Sequence, residues 1–140
     1  MEYKFFEKLP QEAIDIRTIV FMNEQGFLQE FDDIDDRAIH LIFYQDNKPI
    51  ATARLFKDLD NDDTYIIGRL AVLKEYRGCH FGKKLLEILH EKVKSLGGKK
   101  TALSAQCKAQ AFYEKMGYVA TGEIYLDENC PHIHMENVLG

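Results

Sequence analysis

The run Leu70-Ala71-Val72-Leu73-Lys74-Glu75-Tyr76-Arg77-Gly78-Cys79-His80-Phe81-Gly82-Lys83 sets a turn rich in glycine and basic residues between an apolar stretch and a helical one. A helix N-terminus offers unpaired N–H groups and the positive end of its dipole, so it binds anions. Lys83 and Lys84 fall in the first turn, where a cation is unfavourable unless an anion is present. Arg77 adds positive charge, and Gly78 and Gly82 let the backbone approach a ligand closely. A solvated turn with incidental charges is the alternative; the strand–glycine–helix context favours the anion site. Neither common nucleotide motif fits. A P-loop needs Ser or Thr after its Lys, but Lys84 follows Lys83 and the glycine spacing is wrong, and GxGxxG is absent.

Other residues carry chemistry of their own. His132 is a candidate general base, since an imidazole with a reference pKa of roughly 6.5 suits proton removal at neutral pH. A histidine closing a strand with a structural hydrogen bond is the competing reading, and His134 and Glu24 are lesser contenders for the base. Arg17, Arg54 and Arg69 lie in otherwise apolar stretches, where an unpaired guanidinium is expensive. Each pairs with Glu24 or an acidic loop, or the three line a pocket for an anionic group of the substrate. Cys130, His132 and His134 have zinc-ligand chemistry, but on an extended strand they step by about 6.5–7 Å and do not converge on one ion. Asp58-x-Asp60-x-Asp62 imitates the start of a calcium loop, yet Asp63 replaces the needed glycine and Arg69 the closing glutamate. No metal is expected.

The 140 residues are 46% hydrophobic and 29% charged, the composition of one ordinary globular domain. Eighteen Lys and Arg against 23 Asp and Glu give a formal charge of −5, which argues against nucleic acid as a partner. The three cysteines form no CxxC pair, which fits a reducing compartment. No apolar run approaches the roughly 18 residues of a membrane span, and the N-terminus lacks a signal-peptide pattern. A cytoplasmic protein with no membrane partner is expected.

The elements that must position these residues follow from periodicity. Tyr3 to Glu7 suits a strand, and Pro10 opens a helix with apolar residues at helical spacing that ends near Gly26. The acidic run from Glu30 to Asp36 suits an exposed loop or short helix. His40–Tyr44 and Pro49–Phe56 flank a polar turn of hairpin length. Thr64–Leu73 is nearly unbroken apolar sequence, the mark of a central strand buried on both faces, and Gly68 inside it signals a bulge or a close approach. Gly82–Leu96 is an amphipathic helix stopped by Gly97-Gly98. Thr101–Ala105 reads as a strand, Lys108–Met116 as a short helix, and Tyr118–Leu126 and Ile133–Val138 as two closing strands. The order β-α-β-β-β-α-β-α-β-β predicts an α/β (α+β) fold, a mixed, mostly antiparallel sheet of about seven strands with helices on both faces.

Two blocks resemble the GNAT superfamily of acetyl-CoA-dependent N-acetyltransferases. Arg77-Gly78-Cys79-His80-Phe81-Gly82 is similar to its signature [RQ]-x-x-G-x-[GA], with His80 where the middle glycine is usual. Gln106-x-x-Ala109-x-x-Phe112-Tyr113-x-Lys115-x-Gly117-Tyr118 is similar to N-x-x-A-x-x-F-Y-x-K-x-G-F, with Gln106 for the usual Asn. Arg17-x-x-Val20-Phe21-x-x-Glu24-Gln25-Gly26 and Leu126-Asp127-x-x-x-Pro131-His132-x-x-Met135 resemble the small YjcF-like and ElaA-like branch. The resemblance covers essentially the whole chain.

It implies acetyl-CoA as co-substrate, with the thioester in a cleft between the Thr64–Leu73 and Thr101–Ala105 strands. The backbone of Leu70, Ala71 and Val72 would bind the pantetheine arm, with the Val72 N–H near the thioester oxygen, and a bulge at Gly68 would free such groups from strand pairing. Arg77, Gly78, Cys79, His80, Phe81, Gly82 and Lys83 would hold the pyrophosphate, with Gln106 and Tyr113 as further CoA contacts. Tyr113 would donate to the departing thiolate; a core tyrosine is the alternative. His132 stands in a context where some relatives carry a functional histidine. The acceptor would be a primary amine of a small molecule or peptide, bound near Arg17, Glu24, Arg54 and Arg69 and attacking directly, with no acyl-cysteine intermediate. A CoA-binding sensor or regulatory module without catalysis is the rival class. Oligomeric state stays open, a homodimer being common in such folds.

Overall fold

The computed structural model describes residues 2–140. Seven strands and three helices follow one another as β1 (Glu2–Phe6), α1 (Gln11–Arg17), β2 (Ile39–Gln45), β3 (Lys48–Lys57), β4 (Thr64–Val72), α2 (Phe81–Ser95), β5 (Lys100–Gln106), α3 (Gln110–Lys115), β6 (Val119–Asp127) and β7 (Cys130–Val138). This is the alternation that periodicity predicts, in an α/β fold. The sheet runs β1-β2-β3-β4-β5-β7-β6, with β4 and β5 parallel and β1–β2, β2–β3, β5–β7 and β6–β7 antiparallel. The β2–β3 turn works because Asp46 and Asn47 take left-handed φ values of 52° and 67°, whose twist matches that of the flanking strands. Among the described residues no helix is long and apolar enough to cross a membrane.

The chain forms two compact units, one of residues 1–56 with 67–87, the other of 57–66 with 88–140. In the first, side-chain alternation along β2 separates two contacts. Ile42 and Tyr44 pack with Ala13 of α1, while Phe43, between them, meets Phe81 of α2 with ring centroids 5.5 Å apart. Helices therefore cover both faces of β2. The expected single helix up to Gly26 divides: α1 passes at Arg17 into a π-helical segment, Thr18–Glu24. Ile16, Val20 and Phe21 bury themselves against Ala71 and Leu73 at the end of β4.

In the second unit, Leu103 lies opposite Met135 and Ala105 opposite Ile133, so the four share one sheet face. Tyr118 joins this cluster, and Tyr113 and Met116 pack against it. Gly98 follows α2 where no side chain fits: a Cβ there would lie 2.4 Å from Val93 and 2.8 Å from Tyr65.

Two expectations are corrected. β4 is central in the strand order, but of its residues only Thr64, Ile67 and Ala71 are buried, the rest being half-buried. An apolar run reveals hydrophobicity, not which positions a neighbour covers. The acidic run is not simply an exposed loop either, because Glu30 and Asp35 are 3% and 4% exposed. They go inside because arginines already buried there need counter-charges.

Candidate functional site

β4 ends at Val72, and a single 3-10 turn, Lys74–Tyr76, leads to the glycine- and base-rich loop. Gly78 has φ +84° and His80 φ +63°, with Cys79 between them outside the left-handed region. Alternation of this kind turns successive backbone N–H groups toward one concavity, a geometry suited to anions. Glycine adopts the left-handed region at no steric cost, whereas His80 is strained there by its Cβ. That strain is the physical reason a glycine is usual at this place in the signature. Phe81 anchors the start of α2 on Phe43 and Tyr76. The first-turn N–H groups of α2 have no partner inside the helix, and Lys83 beside them is exposed. The loop thus presents N–H groups, a positive helix end and an ammonium together.

Arg77 is placed differently from the expectation that it adds its charge to the anion site. Its Nε–H donates to the Val72 carbonyl at 2.9 Å, and its terminal nitrogens grip both carboxylate oxygens of Glu24, one of them at 2.9 Å. Glu24, weighed as a substrate ligand and as a base, is the partner in that grip. The Glu24 hydrogen bond also raises the Arg77 pKa.

The three arginines of the apolar stretches take structural partners. Arg17 pairs with Glu30 at 3.0 Å and Asp35 at 2.8 Å. Arg54 pairs with Asp32 at 2.6 Å and Asp35 at 3.0 Å. Arg69 pairs with Glu30 at 2.7 Å and Asp32 at 3.4 Å. Three guanidiniums meet three carboxylates, and Arg17 and Arg54 are only 1% and 4% exposed. Burial and carboxylate pairing commit the terminal nitrogens of both to the fold, while the buried Nε of Arg54 is left without a hydrogen-bond partner. Burial pushes the Asp35 carboxyl up, but hydrogen bonds and charge from Arg17, with help from Arg54, win and hold it down at about 2. Burial raises Glu30, and Arg69 and Arg17 offset that only in part. Gly68 does not itself leave ordinary strand geometry; its neighbour Arg69 does, with φ +51°. A Cβ at Gly68 would make an ordinary 3.5 Å contact with Arg54, so the distortion of β4 sits one residue later than expected.

In the second unit Tyr113 packs against the apolar face of β5 and β7, and burial pushes its phenol up to about 12. His132 lies on the opposite face, because it is offset by one residue from Ile133 on β7. The Tyr125 ring stacks on it at 6.0 Å, and the Tyr125 hydroxyl bonds Ser104. His132 Nδ1 lies 2.8 Å from the Cys130 carbonyl. A carbonyl only accepts, so Nδ1 carries the proton and the neutral ring keeps its lone pair at Nε2. Gln106 is directly opposite His132 in the β5–β7 register. Leu70 and Val72 are half-buried at the end of β4, and Ala71 is buried.

Sequence reasoning missed Tyr125 and the Glu24–Arg77 grip, and gave the arginines' partners as Glu24 or an acidic loop without saying which; they are Glu30, Asp32 and Asp35 of the first acidic run. Alternation in the closing strands could have found Tyr125. The pairings join residues 13 to 53 positions apart, and the one available signal was numerical: buried arginines require about as many buried carboxylates.

Residues 7–139 match the family described as the acetyltransferase (GNAT) domain. The N-acetyltransferase YjcF of Bacillus subtilis (strain 168) is 29% identical over 132 residues, which are 92% of each chain. The crystal structure of Escherichia coli ElaA superposes with a TM-score of 0.86 at 27% identity, covering 97% of this chain and 98% of that one. An acyl-CoA N-acyltransferase from Pseudomonas aeruginosa superposes with a TM-score of 0.85 at 29% identity, covering 99% and 100%.

Proposed function

The chain belongs to the GNAT acetyltransferase family, and from that premise we propose that it moves the acetyl group of acetyl-CoA to a primary amine by direct attack. The observation that carries the reading is the loop between β4 and α2, where left-handed Gly78 and His80 precede a helix start bearing Lys83. The CoA pyrophosphate binds there, through backbone N–H groups and Lys83. The similar Pseudomonas aeruginosa protein is an acyl-CoA N-acyltransferase, in keeping with this co-substrate. The reducing cytoplasm, where the free cysteines persist, is the setting.

When bound, acetyl-CoA supplies the thioester that the amine attacks. The uncharged amine forms the C–N bond, the carbonyl oxygen takes up negative charge, and the C–S bond then breaks. The Val72 N–H is the donor for that oxygen. His132 Nε2 takes the proton released by the amine, and its Nδ1–H keeps the Cys130 carbonyl throughout. Tyr113 hydrogen-bonds the departing thiolate through its hydroxyl. With its pKa at about 12, Tyr113 stays protonated across the working pH range and acts mainly by hydrogen bonding. Tyr113 and His132 lie on opposite faces of the β5–β7 pair, so acid and base do not compete for space.

Pairing of Arg17, Arg54 and Arg69 removes the residues on which an anionic acceptor rested. Cationic amines are the better class, drawn by the acidic loop from Asp58 to Asp63. The test is release of CoA thiol across amino sugars, polyamines, amino acids and peptide N-termini. At least one amine should support turnover, and His132→Ala should lower kcat about a hundredfold and Tyr113→Phe about tenfold. Tight CoA binding without turnover on any amine would instead establish the non-catalytic module.

A further inference from the structure

Arg77 connects two elements on which the anion loop depends. Its Nε–H holds the Val72 carbonyl, the last of β4, at 2.9 Å. Its two terminal nitrogens hold Glu24, the last residue of the π-helical segment, 53 positions away. A two-pronged guanidinium–carboxylate pair fixes the plane of the guanidinium as well as its position. The segment presenting Glu24 is itself anchored, since Val20 and Phe21 are buried against Ala71 and Leu73 on either side of Val72. Carboxylate and carbonyl therefore belong to elements packed on each other, and Arg77 spans the short gap between them. Gly78 and His80, the residues that shape the N–H concavity, follow within three positions of Arg77.

We infer that Glu24 is a positioning residue for CoA: through Arg77 it holds the end of β4 and the following loop in their anion-binding shape, and Arg77 is a splint rather than a ligand of the pyrophosphate. This rests on the acetyl-CoA reading above. The two roles for Arg77 give opposite signs for one substitution. Were Arg77 a phosphate ligand, Glu24 would compete with CoA for it, and removing the carboxylate would tighten binding. As a splint, Arg77 without Glu24 lets the loop drift, and binding weakens.

The experiment is calorimetric titration of CoA into wild-type protein, E24A, E24Q, R77Q and the E24Q/R77Q double variant. E24A should weaken CoA about tenfold and E24Q somewhat less, with the loss appearing in KM for acetyl-CoA while kcat is kept. A glutamine at position 77 places an amide N–H where the arginine Nε–H was and needs no carboxylate. R77Q should therefore bind CoA within about threefold of wild type, and adding E24Q to it should change nothing further. Both side chains are about one-third exposed, so the isosteric E24Q keeps the test available if E24A fails to fold. Binding by E24A as tight as or tighter than wild type overturns the inference, as does loss of binding in R77Q. Wild-type protein that binds no CoA would overturn the acetyl-CoA reading itself, whereas wild-type binding indifferent to Glu24 overturns only the splint.

Discussion

Arg17, Arg54 and Arg69 end in a network that holds as many carboxylates as guanidiniums, while the turn after β4 ties its one arginine to Glu24 and leaves Lys83 exposed. In sequence both regions read as positive charge awaiting an anion. The difference lies in burial. A guanidinium removed from water must carry its counter-charge inside with it, so the buried Arg17 and Arg54 act on stability. The second stays at the surface, where backbone N–H groups and an ammonium remain able to take an anion from solution. The two regions should accordingly fail in different ways.

The largest effect is expected at Arg17. Replacement by Ala leaves Glu30 with Arg69 alone and Asp35 with Arg54 alone, and should cost about 3 kcal/mol of unfolding free energy, read from urea denaturation. The folded fraction should still bind CoA normally; selective loss of CoA affinity would merge the two regions and break the contrast.

Acid comes next. Asp35 has its carboxyl held at about 2, below the ordinary 3.8. A depressed carboxylate pKa gives stability that is complete above about pH 4 and is lost as pH falls toward 2. Its share is about 2 kcal/mol, and in Asp35→Asn the stability curve should be lower at neutral pH and flatter between pH 4 and 2. An unchanged acid slope in that variant would show the pairing to be weaker than the geometry indicates.

The smallest effect belongs to the loop. His80→Gly relieves a left-handed residue but frees the unfolded chain, and the net gain should be about 0.5–1 kcal/mol. A melting temperature that falls instead would show the His80 side chain to be structural.

Much of this organisation was legible from periodicity and spacing. Periodicity located the seven strands and the second and third helices to within a few residues and ran the first helix on to Gly26, and the glycine and lysine positions between Arg77 and Lys84 singled out the loop proposed to take the anion. The π-helical turn at Thr18–Glu24 was not legible, because its apolar residues repeat much as in an ordinary helix. The acidic run was legible as a partner of the arginines but the individual pairings were not, since Arg69 finds Glu30 across 39 positions and nothing local encodes that. Tyr113 and His132 were singled out by residue type and context, but their placement on opposite faces depends on the register of β5 against β7, which only the assembled sheet reveals. Gly68 drew attention to the distortion of β4, and the left-handed residue proved to be Arg69, whose side chain is held by Glu30 and Asp32.

The loop after β4 is proposed to take the CoA pyrophosphate through its N–H groups and Lys83. Calorimetric titration of acetyl-CoA into wild type and Lys83→Glu tests it most directly, with thermal unfolding followed alongside. Wild-type binding should weaken at least about tenfold in the variant, because one attractive charge becomes a repulsive one beside a dianionic group. The unfolding temperature should not change. Equal affinity in the two proteins would place the donor's phosphates elsewhere on the molecule.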